Sequence, residues 1–263
     1  MAVLPAPAEP VTNPAAAPSG RLRTAWLAGA GVALLFVFVP PVWTFSHRYE
    51  YVETIQFVLA AFAVPALVVL GWPFRWLGGR SRGQRLVGAL ERLASSRRRH
   101  PWAIRSLTFA ALEVGVVIAW RTPALMNALE RHSWLLVVEV GSLVVAGVLL
   151  WTELVRCPPL LPRLPSPWRA VIGAGTMWGV WVMAYLVGFS HVSWYVAFHH
   201  AAGGLRATTD QELSTAVLWF AAACSFVPLV FQDLLAWLKN GEDPDAELRA
   251  IVRRERRLGG GPE

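Results

Sequence analysis

The stretch "SHVSWYVAFHHAAGGLRATTDQ", Ser190 to Gln211, brings His191, His199 and His200 together with Asp210 between two strongly apolar runs, in a chain that has only six histidines. Imidazole is the commonest protein ligand for copper and zinc, and a carboxylate can complete such a set. The residue types leave two readings open, a metal-handling surface or an ordinary polar loop. His199 and His200 are neighbours, and on a regular helix they point about 100° apart, so they serve as alternate ligands unless the backbone there is irregular.

The elements that must position these groups lie in a membrane. The chain has 263 residues, 55% hydrophobic, with 14 Trp and only 16% charged, well below the roughly one quarter charged of a soluble domain. Six apolar runs, at 24–45, 54–72, 103–120, 134–155, 170–190 and 213–238, approach the ~20 residues that cross a bilayer core. The expected fold is all-α: a polytopic bundle of about six transmembrane helices over 21–240. A Pro- and Ala-rich tail, 1–20, has too little to bury to offset its ordering entropy and reads as disordered. A basic tail spans 241–263. The first run has no small-x-small cleavage site after it and reads as a retained helix, not a signal peptide.

Most of the 24 Lys and Arg fall in the N-terminal segment, the 73–101 and 156–169 loops and the C-terminal tail. Short cytoplasmic loops are enriched in Lys and Arg, so both termini are expected in the cytoplasm. His47, His132, His191, His199 and His200 then lie on the outward side, and only His100 faces in. Two readings of this bias stay open. Outward loops, from which Lys and Arg are excluded, simply carry more other polar residues, or the outward face handles metal.

Ionisable residues at membrane depth are expensive and mark function by default. Glu113, about eleven residues into the third run, lies ~16 Å deep. Glu139 is nearer the outer face, while Arg105, Glu153 and Asp233 lie close enough to the inner face to snorkel. Cys224 reaches a depth similar to Glu113, and with Met177 and Met183 would suit Cu(I), although Met and Cys are ordinary packing residues in apolar helices. Gly175 and Gly179 form a GxxxG pair that lets a helix approach, and Pro65 and Pro228 are expected to kink their helices. Leu86, Leu90 and Leu93 recur among arginines in the 73–101 loop, as in a basic surface helix on an anionic leaflet. Cys157 and Cys224 make no disulfide framework. No P-loop, GxGxxG, HExxH or GxSxG motif occurs, and nothing supports nucleic-acid binding.

Several short patterns, in order, resemble the CtaG-type cytochrome c oxidase assembly factors of bacterial membranes. They are "IQFVLAAFAVPALVVLGWPFRWL" in the second run; His100-Pro101, Thr122-Pro123-Ala124, Glu139 and Ala146-Gly147 to Trp151 in the next hairpin; and Asp210, Gln211 and Trp219 in "TTDQELSTAVLW". The resemblance covers roughly 50 to 238. It departs from the family pattern at Arg121-Thr122 and Val140, where histidines are usual, at "ELST", where glycines follow the Asp-Gln pair, and at Tyr51 and Gln56, where polar and histidine residues are common.

The resemblance implies a non-enzymatic, multi-pass protein of the bacterial plasma membrane. Its partners would be the lipid bilayer and cytochrome c oxidase subunits, and its task maturation of a haem-copper oxidase, with copper as transient cargo. The residues to carry this are His191, His199, His200, Asp210, His132 and His47, with Glu113, Glu139, Gln211 and Cys224 as buried polar or soft groups. A non-metal scaffold or accessory subunit of a respiratory complex is the alternative. A solute carrier around Glu113 lacks an evident internal repeat, and a bis-histidine haem protein lacks histidines deep in its helices.

Overall fold

The structure, a computed structural model, describes residues 20–71, 102–155, 164–198 and 205–240. Most of these are helical, and no strand occurs among them. The helices are α1 (Gly20–Phe38), α2 (Pro40–Ser46), α3 (Glu50–Val58), α4 (Val64–Gly71), α5 (Trp102–Trp120), α6 (Pro123–Arg131), α7 (Leu135–Leu154), α8 (Ser166–Gly188) and α9 (Ala207–Asn240). A π turn, Leu59–Ala63, joins α3 to α4, so that Glu50–Gly71 is one continuous span. Six helices are long and apolar enough to cross a membrane, in the order the six apolar runs predict. The two tails and the 73–101 loop with its leucine pattern lie outside the described residues.

Local sequence explains where the short helices begin. Pro40, Pro123 and Pro167 stand in the first turns of α2, α6 and α8, where a missing N–H costs nothing because no intrahelical acceptor exists for it. Pro65 sits in the first turn of α4, and the π turn lies just before it. The ring leaves the Ala61 carbonyl without its usual N–H donor, and a widened turn accommodates both. Gly147 of α7 fills the space beside this defect. A Cβ there would come within 2.5 Å of Pro65 Cγ and 2.9 Å of the Ala61 oxygen, so only glycine lets α7 approach. The expected GxxxG pair divides, since Gly179 packs on Val114 of α5 whereas Gly175 has open space beside it. Pro228 lies inside α9, which continues past it to Asn240.

The α3–α4 span is the centre of the bundle. It packs against α1, α7 and α9, while α5 joins α7 to α8, and α8 and α9 form the longest contact. Phe62, Leu143, Val180, Ala222 and Phe226 fill the interior. The surface is apolar as well, with Val32, Leu35, Ile104, Val145, Phe220 and Phe231 all exposed, which suits a solvent of hydrocarbon rather than water.

Candidate functional site: a buried polar layer at the histidine end

The two ends of the bundle differ in their polar residues. One carries the start of α3, the end of α5, α6, the start of α7, the 189–198 segment and the start of α9; His47, His132 and His191 lie there, and it is here termed the histidine end. The far end carries the start of α5, the end of α7, the start of α8 and the last turns of α9.

At the histidine end, α9 is clasped to its neighbours by two adjacent residues. α3 begins after Tyr49, which offers no side-chain cap. The Asp210 carboxylate supplies it from 160 positions away, accepting from the Glu50 amide at 2.8 Å and the Tyr51 amide at 3.1 Å. An anion at a helix N-terminus satisfies donors that have no intrahelical acceptor and complements the helix dipole. Gln211 faces the other way. Its Oε1 accepts from the Trp194 amide at 2.8 Å and its Nε2 donates to the Val187 carbonyl at 2.8 Å, fixing the 189–198 segment over the end of α8. One turn on, the hydroxyls of Ser214 and Thr54 meet at 2.6 Å.

Arg121, just past the end of α5, is the hub of this layer. Its Nη1 donates to Glu53 Oε2 at 2.8 Å, its guanidinium lies 4.2 Å over the Phe57 ring, and its backbone carbonyl accepts from the Tyr195 hydroxyl at 2.9 Å. Burial works against the guanidinium's charge, but Glu53 above all, then Tyr195, Glu50 and Glu139, outweigh it and push its pKa up. Burial likewise pushes the Tyr195 phenol up, so it remains a donor. Arg121 Nε and Nη2, both oxygens of Glu50 and Glu139 Oε1 meet no hydrogen-bond partner. Glu50, Arg121, Ser214 and Tyr195 share the wall of a cavity of about 10 Å³, about the least space that holds one water molecule. A second small cavity, about 20 Å³, lies beyond Glu53 and is lined by His47, Gln56 and Glu130. The pair Glu53–Arg121 divides the two.

Among the described residues, the sequence-derived site residues do not converge on one point. His47, His132 and His191 are exposed; His47 packs its ring on Trp43 and places Nδ1 2.9 Å from the Trp43 carbonyl. His199 and His200 lie outside the described residues. Asp210 uses both carboxylate oxygens on backbone amides, and Gln211 is spent on the clasp. Glu139 belongs to the Arg121 layer. Glu113 is buried near the middle of α5, with one carboxyl oxygen meeting no partner. Cys224 is exposed on α9 whereas Met177 and Met183 are buried, so these three form no common track. Among the described residues no group of three or more His, Cys, Asp and Glu could hold a metal ion.

Arg105, Glu153 and Asp233 do not snorkel; Glu153 and Asp233 are buried, Arg105 is partly buried, and all are paired at the far end. Arg105 grips Glu153 with two bonds of 2.9 and 2.8 Å, joined by Ser106 at 3.1 Å. Arg169 bonds Asp233 through Nε and Nη2, and also the Leu164 carbonyl and Ser166. Each charge has its opposite within reach, which makes a buried position tolerable where snorkelling is not needed.

Sequence reasoning passed over Glu50, Glu53, Tyr195 and the hub role of Arg121. The signal was present: two acids one turn apart open a membrane span, and an arginine directly closes another, each an ionisable group at a bilayer edge. The departures from the family pattern at Arg121 and Gln56 fall in this same layer, where Gln56 Nε2 donates to the Val37 carbonyl at 2.7 Å. The cation at its centre is thus supplied by the protein itself, and the buried donors fit a guanidinium with its carboxylates rather than a metal ion.

Six apolar spans, a core of packed helices and ionic layers at both ends define a polytopic membrane bundle. The sequence model of the cytochrome c oxidase caa3 assembly factor family (Caa3_CtaG) matches residues 8–240, and the chain belongs to that family. No curated protein and no solved structure matches it.

Proposed function

We propose that this protein assists maturation of a haem-copper cytochrome c oxidase from the histidine end, and that this end lies on the outer side of a bacterial plasma membrane, a reading supported by the positive charge of the opposite loops. The observation that carries the reading is that His47, His132 and His191 are exposed at one end of the bundle, on segments braced from beneath by the Asp210–Gln211 clasp and the Arg121 layer. Copper is the cargo, held transiently by exposed histidines, with His199 and His200 on the same connection as His191. Open, exchangeable ligands suit delivery. The role is non-catalytic.

A second reading, a scaffold that handles no copper, is favoured by the buried layer, whose centre is a guanidinium. One experiment separates the two: measure the copper-to-haem ratio and activity of the terminal oxidase in membranes of a strain lacking this protein, with and without added copper. Copper delivery gives normal haem with low copper, restored by excess copper and mimicked by joint replacement of the five histidines by Ala. A scaffold gives less assembled oxidase at normal copper-to-haem, which added copper does not repair. Full copper and full activity in the deletion strain would overturn both.

A further inference from the structure

One face of the α8–α9 pair carries more aromatic side chains than a lipid-facing surface calls for. Trp178, Trp181, Tyr185 and Phe189 recur at helical spacing along α8 and share one stripe. Trp178 meets Trp181 edge-on at 5.4 Å, Trp181 stacks on Trp219 of α9 at 4.7 Å, and Tyr185 stacks on Phe189 at 5.2 Å. Beside Tyr185, Phe189 and Trp219 lies an open groove of about 370 Å³, with the small residues Ala184, Gly188 and Ala216 and with Glu212 in its lining; Trp181, stacked on Trp219, and Trp178 continue the aromatic stripe beyond it.

Two features of this aromatic face do not fit a covering of lipid tails. From Trp178 to Gly188, the last residue of α8, is ten residues, about 15 Å, which puts Trp178 close to the middle of the span. Tryptophan favours the interface, where its indole N–H finds acceptors. Trp178 is instead 58% exposed near mid-membrane, and its N–H meets no acceptor among the described residues, whereas the Trp181 N–H donates to the Trp219 carbonyl at 3.1 Å. A hydrocarbon chain offers no acceptor, and an unmatched donor in hydrocarbon is costly. At the other end of the face, within the groove, Glu212 is exposed and makes no ion pair among the described residues. It is the single charged residue of the lining, one turn beyond Thr215, which packs against Gly188.

We infer that this groove and the aromatic stripe that continues it dock one transmembrane helix of a partner protein, which places a hydrogen-bond acceptor against Trp178 and a Lys or Arg against Glu212. The two contacts are about 20 Å apart, so the partner's acceptor and cation stand roughly thirteen residues apart along its helix. Small residues on the docking face allow the close backbone approach that membrane helices use in place of hydrophobic association. The Ser, Thr, Asn or Gln that meets Trp178 gives the register, and the basic residue gives the orientation.

The partner's identity as an oxidase subunit rests on the proposed function; the docking does not. Replacing exposed Ala216 by a photo-activated benzoyl-phenylalanine in the full-length protein in native membranes, with the adduct mapped by mass spectrometry, tests it. The expected adduct maps to one transmembrane segment with the two polar positions at that separation. Glu212→Lys lowers its yield at least about tenfold through like-charge repulsion, and Trp178→Phe, which keeps the ring and loses the N–H, lowers it about threefold. Each purified variant melts at the wild-type temperature. Adducts on lipid or on this chain alone, or a protein adduct indifferent to Glu212→Lys, would overturn the docking site. A mapped segment from a protein other than the oxidase leaves the groove's role standing and removes the assembly reading. Lipid adducts alone, beside a copper-poor oxidase in the deletion strain, do the reverse.

Discussion

The far end of the bundle and the histidine end solve the same problem in opposite ways. At the far end two arginines face two carboxylates, and Ser106, Ser166 and the Leu164 carbonyl take up further bonds. At the histidine end a single guanidinium stands among Glu53, Glu50 and Glu139, with donors and acceptors on both sides unmatched. A balanced ionic layer holds helices together. An unbalanced one in a native fold points to strain kept for function, or to small polar occupants such as water.

The contrast is sharpest when a cation is removed. Arg169→Ala and Arg121→Ala should each cost about 3–5 kcal/mol, because each strands buried carboxylates, read as the midpoint of unfolding in detergent micelles. They should differ in rescue. Asp233→Leu added to Arg169→Leu restores most of the loss, whereas Glu53→Leu added to Arg121→Leu restores little, since Glu50 and Glu139 still lack a cation. Equal rescue at both ends would erase the distinction.

Neutralising single acids gives a smaller effect, of opposite sign at the two ends. Glu153→Gln should cost about 1.5–3 kcal/mol, the worth of hydrogen bonds to a charged group. Glu50→Gln should be neutral or stabilising, because it removes a buried charge without a hydrogen-bond partner. A loss at Glu50 as large as at Glu153 would show that the acid surplus is itself structural.

The smallest effect concerns Glu130, at the mouth of the cavity beside His47. Burial pushes its carboxyl pKa up, with His47 opposing and Glu53 adding to the rise. A group raised in the fold binds more protons folded than unfolded, so the stability it lends is whole below the ordinary carboxylate value and is lost as pH rises through the folded value. Its partial exposure keeps the effect under about 1 kcal/mol. Melting temperature should therefore fall less between pH 4 and pH 7 in Glu130→Gln than in wild type; parallel curves would contradict the placement of Glu130.

Composition and run length were enough to read the six helices, because a bilayer demands long apolar segments whatever their contacts. The buried layers were not legible in the same way. Arg105, Glu153 and Asp233 were expected to reach for the interface, and only the packing shows that each meets an opposite charge within the bundle. Asp210 illustrates the limit best. As a carboxylate near three histidines it reads as a ligand, yet its partners are backbone amides of Glu50 and Tyr51, which carry no sequence signature at all. Arg121 reads as one more loop charge until Glu53, 68 positions away, is known to stand opposite.

The Asp210 cap also sets an order of events. α3 is made early and α9 much later, and the start of α3 gains its anionic cap only when α9 has entered the membrane. Until then the first hairpin carries open backbone donors, and the Arg121 layer that is built on α3 has no fixed floor. Assembly of the histidine end is thus a test that synthesis has passed α9: a chain that stops short of α9 presents neither a braced outer segment nor the α8–α9 groove, and is recognisable to the membrane's quality-control machinery as unfinished.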